Sequence, residues 1–120
     1  METLKFRAWH HGGGDTRVQG FMNYSKDNLR MFFENVENED LAVEVMQYTG
    51  INDKENHEIY NDDILEWDAK EWGGLFYEVV EFNYEQLSMR KNDWATFCKV
   101  VGNIYENPEF LMEVSNANNR

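Results

Sequence analysis

The residues best able to do chemistry cluster between Asn52 and Asp68. Glu58, Asp62, Asp63, Glu66 and Asp68 offer a carboxylate pair for proton transfer or for Mg²⁺. The stretch Asn52 to Asp63 has the acidic look of a calcium loop. It lacks glycine at the sixth position, and its flanks read as strands rather than helices. Close carboxylates are also what composition alone supplies in a chain with 23 acidic residues. The three histidines, His10, His11 and His57, would bind a metal only if distant turns met, and adjacent histidines on a strand point to opposite faces.

His11-Gly12-Gly13-Gly14 has the form of an oxyanion loop, but that chemistry needs a nucleophile in a G-x-S-x-G turn. Ser25, Ser88 and Ser115 have no flanking glycine, so a hairpin turn is the better reading. Cys98, the one cysteine, sits between Phe97 and Val100 and reads as a buried, inert thiol. No catalytic residue, metal ligand or cofactor site is assigned, and the expectation is a protein that is not an enzyme.

The elements that carry these residues read mostly as strands. Thr3 to Trp9 alternates as a first strand with an edge-like polar face, and Val18 to Tyr24 follows as its hairpin partner after the turn His10 to Asp15. Ser25 opens a helix to Val36 with Leu29, Phe32, Phe33 and Val36 on one side. The acidic loop Glu37 to Asp40 ends it. Strand patterns then run through Leu41 to Tyr48, a short apolar stretch Asp63 to Asp68 within the longer run Ile59 to Trp67, Leu75 to Phe82, Glu85 to Arg90 and Trp94 to Val101, the last two joined at Lys91-Asn92-Asp93. Asn107-Pro108 starts a short C-terminal helix, and Ser115 to Arg120 is a polar tail. The predicted class is mainly β (α+β), a small antiparallel barrel or bent sheet with an N-terminal hairpin. Residues 1–40 would hold the hairpin and helix, and 41–114 the β-rich part, with 115–120 as tail.

The totals narrow the function. The chain has 120 residues and is 42% hydrophobic and 15% aromatic, enough for a packed core. Its formal charge is −12, and residues 31–120 hold twenty acids against six bases. Such a surface repels phosphate backbones and disfavours direct nucleic-acid binding, while suiting a basic protein partner or mimicry of DNA. One cysteine, no leader-like start and no segment near the roughly 20 apolar residues that span a bilayer point to the cytoplasm. Asn23-Tyr24-Ser25 then reads as a chance sequon.

The run Gln47-Tyr48-Thr49-Gly50, Asp53-Lys54, Glu58-Ile59-Tyr60 and Asp63-Ile64, and the later block Val101 to Glu109, resemble the YopX family. Leu4 to Trp9 is similar to the family's opening. Two positions depart from the pattern: Asp62 stands where the family usually has Gly, and Asn56-His57 where it often has Gly-Lys. The resemblance implies a phage or prophage protein, β-rich, acting in the host bacterial cytoplasm, with self-association suggested and no catalytic residue known. The matching residues Tyr48, Thr49, Gly50, Ile59, Tyr60, Asp63, Gly102, Asn103, Tyr105, Asn107 and Pro108 read as structural. Trp72, ahead of two glycines, is the candidate protein contact. The expected role is a non-enzymatic accessory protein that binds a host or phage protein or its own copies. The alternatives are a nucleic-acid-linked role, resting on Arg7, Arg17, Lys26 and Arg30 or on DNA mimicry, and, after that, a metal-dependent hydrolase.

Overall fold

Strand β1 (Phe6–His10) pairs antiparallel with β2 (Phe21–Tyr24) in the register Arg7 to Tyr24. The computed structural model describes residues 4–11, 20–26, 28–37, 43–69, 74–81 and 83–112. Within them the protein is mainly β, as expected, and its chain forms two compact units, Met1–Tyr48 and Thr49–Arg120. The His10–Asp15 turn beyond His11, the loop at 38–40, Arg17, Trp72 and the 115–120 tail lie outside the described residues.

In the first unit β1 also pairs antiparallel with the first part of β3 (Val43–Asn52), Arg7 facing Met46. This corrects the edge-like reading of β1, which is the middle strand between β2 and β3. Its Arg7 is accordingly buried at 3% exposure, with Nε donating to Met46 Sδ at 3.4 Å. Helix α1 (Leu29–Glu37) buries Phe32, and Phe33 meets Phe6 edge-on at 5.2 Å. Its cap is a second correction. Asn28, not Ser25, accepts the free N–H of Met31 (2.9 Å), and the Ser25 hydroxyl accepts from the Phe6 N–H instead. Both side chains are competent caps; Ser25 is committed to closing the ladder with β1.

In the second unit the end of β3 leads through the turn 53–57 into β4 (Glu58–Tyr60), and a tight turn at Asn61-Asp62 starts β5 (Asp63–Ala69). The strand expected over Asp63 to Asp68 is β5, and the longer apolar run Ile59 to Trp67 divides between β4 and β5. β5 lies between β6 (Gly74–Val79) and β7 (Cys98–Asn103), antiparallel to both, with an irregularity at Ile64/Leu65. Ile64 and Leu65, pointing to opposite faces, are both fully buried.

The largest correction is α2 (Tyr84–Phe97), a helix where two strands and a turn were expected. Asn83 Oδ1 accepts the Glu85 N–H at 3.0 Å as an N-cap, and Leu87 and Trp94, two turns apart, supply its buried side. That apolar stripe is narrow, so the helical period is weak beside the aromatic density that suggests strands. The core of the unit joins Leu87 and Trp94 to Ile51, Ile59, Leu65, Trp67, Val80 and Cys98. Each such side chain contributes about 1.5–3 kcal/mol on burial.

Candidate functional site

The acidic stretch between Asp53 and Asp63 is a corner held by its own carboxylates. The Asp53 side chain has no exposed surface, and its two oxygens are shared among three backbone donors. Oδ1 accepts the N–H groups of Glu55 (2.9 Å) and His57 (2.8 Å), which closes the turn. Oδ2 accepts the Val100 N–H of β7 at 2.8 Å. The exposed imidazole of His57 lies 3.6 Å from Asp53 Oδ2 and 3.8 Å from Glu55.

Asp63, 1% exposed, accepts the Tyr60 N–H at 2.8 Å and so fastens the turn ahead of its own strand. Asp62 takes a left-handed φ of 70°, and its Oδ2 accepts the Tyr105 hydroxyl at 3.1 Å. Its backbone bonds Val80 and Ile104 on either side. Asn56 is likewise left-handed, at φ 66°. Asn and Asp fill these two left-handed positions, and they enter that region most readily after Gly.

The second block is equally local. Asn103 Oδ1 accepts the N–H groups of Tyr105 (3.0 Å) and Glu106 (2.8 Å), while its amide donates to Glu106 Oε1. Asn107 Oδ1 reaches back to the Asn103 N–H at 3.2 Å, so its side chain serves β7 rather than capping the turn that begins at Pro108. Gly102 leaves the room for this, since a Cβ there would run into Asn107 Oδ1. Thr49 donates to the Ile59 carbonyl at 2.7 Å; Ile59 and Tyr60 are buried, and Gly50 sits at φ 84°. Tyr48, at the end of the first unit, lies under the Lys5 ammonium at 5.6 Å. The structure brings Asp53, Asp62, Asp63, Asn103, Tyr105 and Asn107 together around β5 and β7, each bonded to the chain itself.

The cluster that sequence reasoning missed is centred on Glu78. Its carboxylate receives Arg90 Nη2 at 2.6 and 2.8 Å and the indole N–H groups of Trp67 and Trp94, both at 3.2 Å. The Arg90 guanidinium lies 5.4 and 5.5 Å from the same two rings. The signal was in the strand pattern: Glu78 is in phase with Val80, which is fully buried, so an acid on that face needs cationic and N–H partners. Cys98 is also fully buried, and burial first, then the Glu78 carboxylate, pushes its thiol up to about 12.

His10 is buried and stacks on Phe21, and His11 lies 3.9 Å from Glu44. Among the described residues no three of His, Cys, Asp and Glu are grouped to hold a metal ion. No described helix is long and apolar enough to cross a membrane. The second unit also exposes apolar side chains. Helix α2 covers the sheet face that carries Glu78 and Trp67, whereas Leu75 and Tyr77 point to the other face. There Leu75 is 57% exposed, Tyr77 meets the Phe110 ring at 5.3 Å, and Leu111 and Met112 are exposed beyond it.

Antiparallel β-structure with two helices and acids engaged in turns defines the protein by class as a small, mainly β fold. The YopX protein family model matches residues 5–112, and the chain belongs to that family. No curated protein matches it. Among solved structures, protein EF1440 from Enterococcus faecalis is similar at 22% identity, covering 92% of this chain and 99% of that one, with a TM-score of 0.44.

Proposed function

We propose that this is a non-catalytic, phage- or prophage-encoded protein that works in the host cytoplasm by binding another protein. The observation that carries the reading is the partly exposed apolar strip of Leu75, Tyr77 and Phe110 on the face of the second unit's sheet opposite α2. Its surroundings select the partner. Residues 49–120 hold fifteen acids and six bases, a net of −9. A partner with an apolar anchor ringed by Lys and Arg gains both burial and charge complementarity there. The carboxylates of the acidic stretch support the same reading, because Asp62, Asp63 and Glu66 accept from Tyr105, Tyr60 and Tyr77 within the fold. Direct nucleic-acid binding is less well supported: Arg7 is buried and Arg30 is paired with Glu34.

The test is affinity capture from infected or lysogenic cells with the wild type and a Leu75→Glu variant of unchanged melting temperature. A stoichiometric basic protein retained by the wild type and lost by the variant supports the proposal. Equal retention by both, or self-association alone in light scattering, overturns it.

A further inference from the structure

The first unit contains a cavity of about 510 Å³ between the end of β2 and one side of α1. That falls in the roughly 300–1,000 Å³ range of small-ligand sites. Asn28, Met31, Phe32 and Asn35 line it from the helix, at positions that share a face, and Asn23 and Lys26 line it from the strand end and turn. Phe32, 3% exposed, gives it an apolar floor.

Two features of this lining point to a ligand. The first is its chemistry. Among the described residues that line it there is no carboxylate, and their one charge is the Lys26 ammonium. The second is unused hydrogen-bonding capacity. Asn23, Lys26 and Asn35 make no side-chain hydrogen bond or ion pair among the described residues. Asn28 spends its Oδ1 on the Met31 N–H, which leaves its NH₂ group to donate. Carboxamides present a donor and an acceptor side by side, matching the main-chain amide of a peptide, and an ammonium beside them matches a carboxylate.

We infer that this cavity binds a short peptide segment bearing a carboxylate, whose acid group pairs with Lys26 and whose amides bond Asn23, Asn28 and Asn35 over the Phe32 floor. The site lies in the first unit and does not depend on the binding strip of the second. The carboxylate can come from the peptide C-terminus or from an acidic side chain, and the assay separates these sources.

The test is titration of the full chain by ¹⁵N NMR, following side-chain amide signals of the three asparagines. The probes are acetyl-Ala-Ala-Ala with a free C-terminus, acetyl-Ala-Glu-Ala amide, acetyl-Ala-Ala-Ala amide and maltotriose. Lys26→Gln and Asn35→Leu change exposed side chains and leave the fold intact, which the unchanged remainder of the spectrum verifies. The inference expects either carboxylate peptide to shift the asparagine signals, with roughly tenfold weaker binding in Lys26→Gln and weakening by added salt. A response to the free C-terminus alone, or to the glutamate peptide alone, identifies the source. Equal binding of the uncharged peptide, binding of maltotriose alone, or no shift by any probe at millimolar concentration overturns it.

Discussion

Replacing Asp53 by Ala tests whether the acidic corner is structural. The substitution removes an acceptor with no exposed surface and strands three backbone N–H groups, those of Glu55, His57 and Val100. Hydrogen bonds to a charged group are worth about 1.5–3 kcal/mol each, and the Glu55 and His57 donors sit in an exposed turn where water recovers part of the loss. The Val100 donor, in the β7 ladder, recovers least. The expected net cost is about 3–5 kcal/mol, a large part of the roughly 5–15 kcal/mol that holds a domain together. Asp53→Asn is not a mild control: one oxygen can still serve the turn, but its NH₂ would face the Val100 N–H, donor against donor. Urea unfolding followed by circular dichroism gives the stability change, and hydrogen exchange at Val100 locates it. A loss below about 1 kcal/mol with Val100 protection unchanged would refute the reasoning.

Gly102→Ala forces Asn107 off the Asn103 N–H, and a loss of about 1–3 kcal/mol in chemical denaturation is expected. Glu78→Ala leaves Arg90 and two indole N–H groups without their shared acceptor; an expected cost of about 2 kcal/mol should come with a red-shifted tryptophan emission. Asn56→Gly relieves a left-handed backbone but loses the bond from Asn52, so it should fall within about 1 kcal/mol of wild type, whereas Asn56→Val should be clearly destabilised in thermal melts. The Cys98 thiol stays protonated in the fold up to about 12, while the unfolded chain ionises it near 9.0. The folded state then holds the extra proton, so stability falls as pH rises between those values, by up to about 1.4 kcal/mol per unit, an increment missing in Cys98→Ala.

Much of the β-structure was legible because alternation survives wherever one strand face is buried. The pairing of β1 with β2 was legible in the two alternating runs Thr3 to Trp9 and Val18 to Tyr24. Burial was harder to read from identity alone. Arg7 looks like a solvent-facing cation but lies in the middle strand, a placement fixed by the pairing order and not by its neighbours in sequence. The 84–97 helix was obscured because Leu87 and Trp94 are its only buried apolar side chains with described burial, and Arg90 occupies the turn between them. The Glu78 cluster draws on β5, β6 and α2 at once, so no local window contains it.

The bond from Asp53 to Val100 spans 47 residues of sequence. The turn 53–57 can close as soon as it is made, since Glu55 and His57 are at hand. Its carboxylate, however, meets its third donor only when β7, the last strand, has joined β5. Long-range pairings of this kind carry the loop-closure entropy that slows folding. Asp53 therefore ties a local turn of this unit to a long-range pairing of its sheet. A truncation that removed β7 would leave a formed turn with a charged side chain lacking its β7 donor, and the corner would loosen before the rest of the core did.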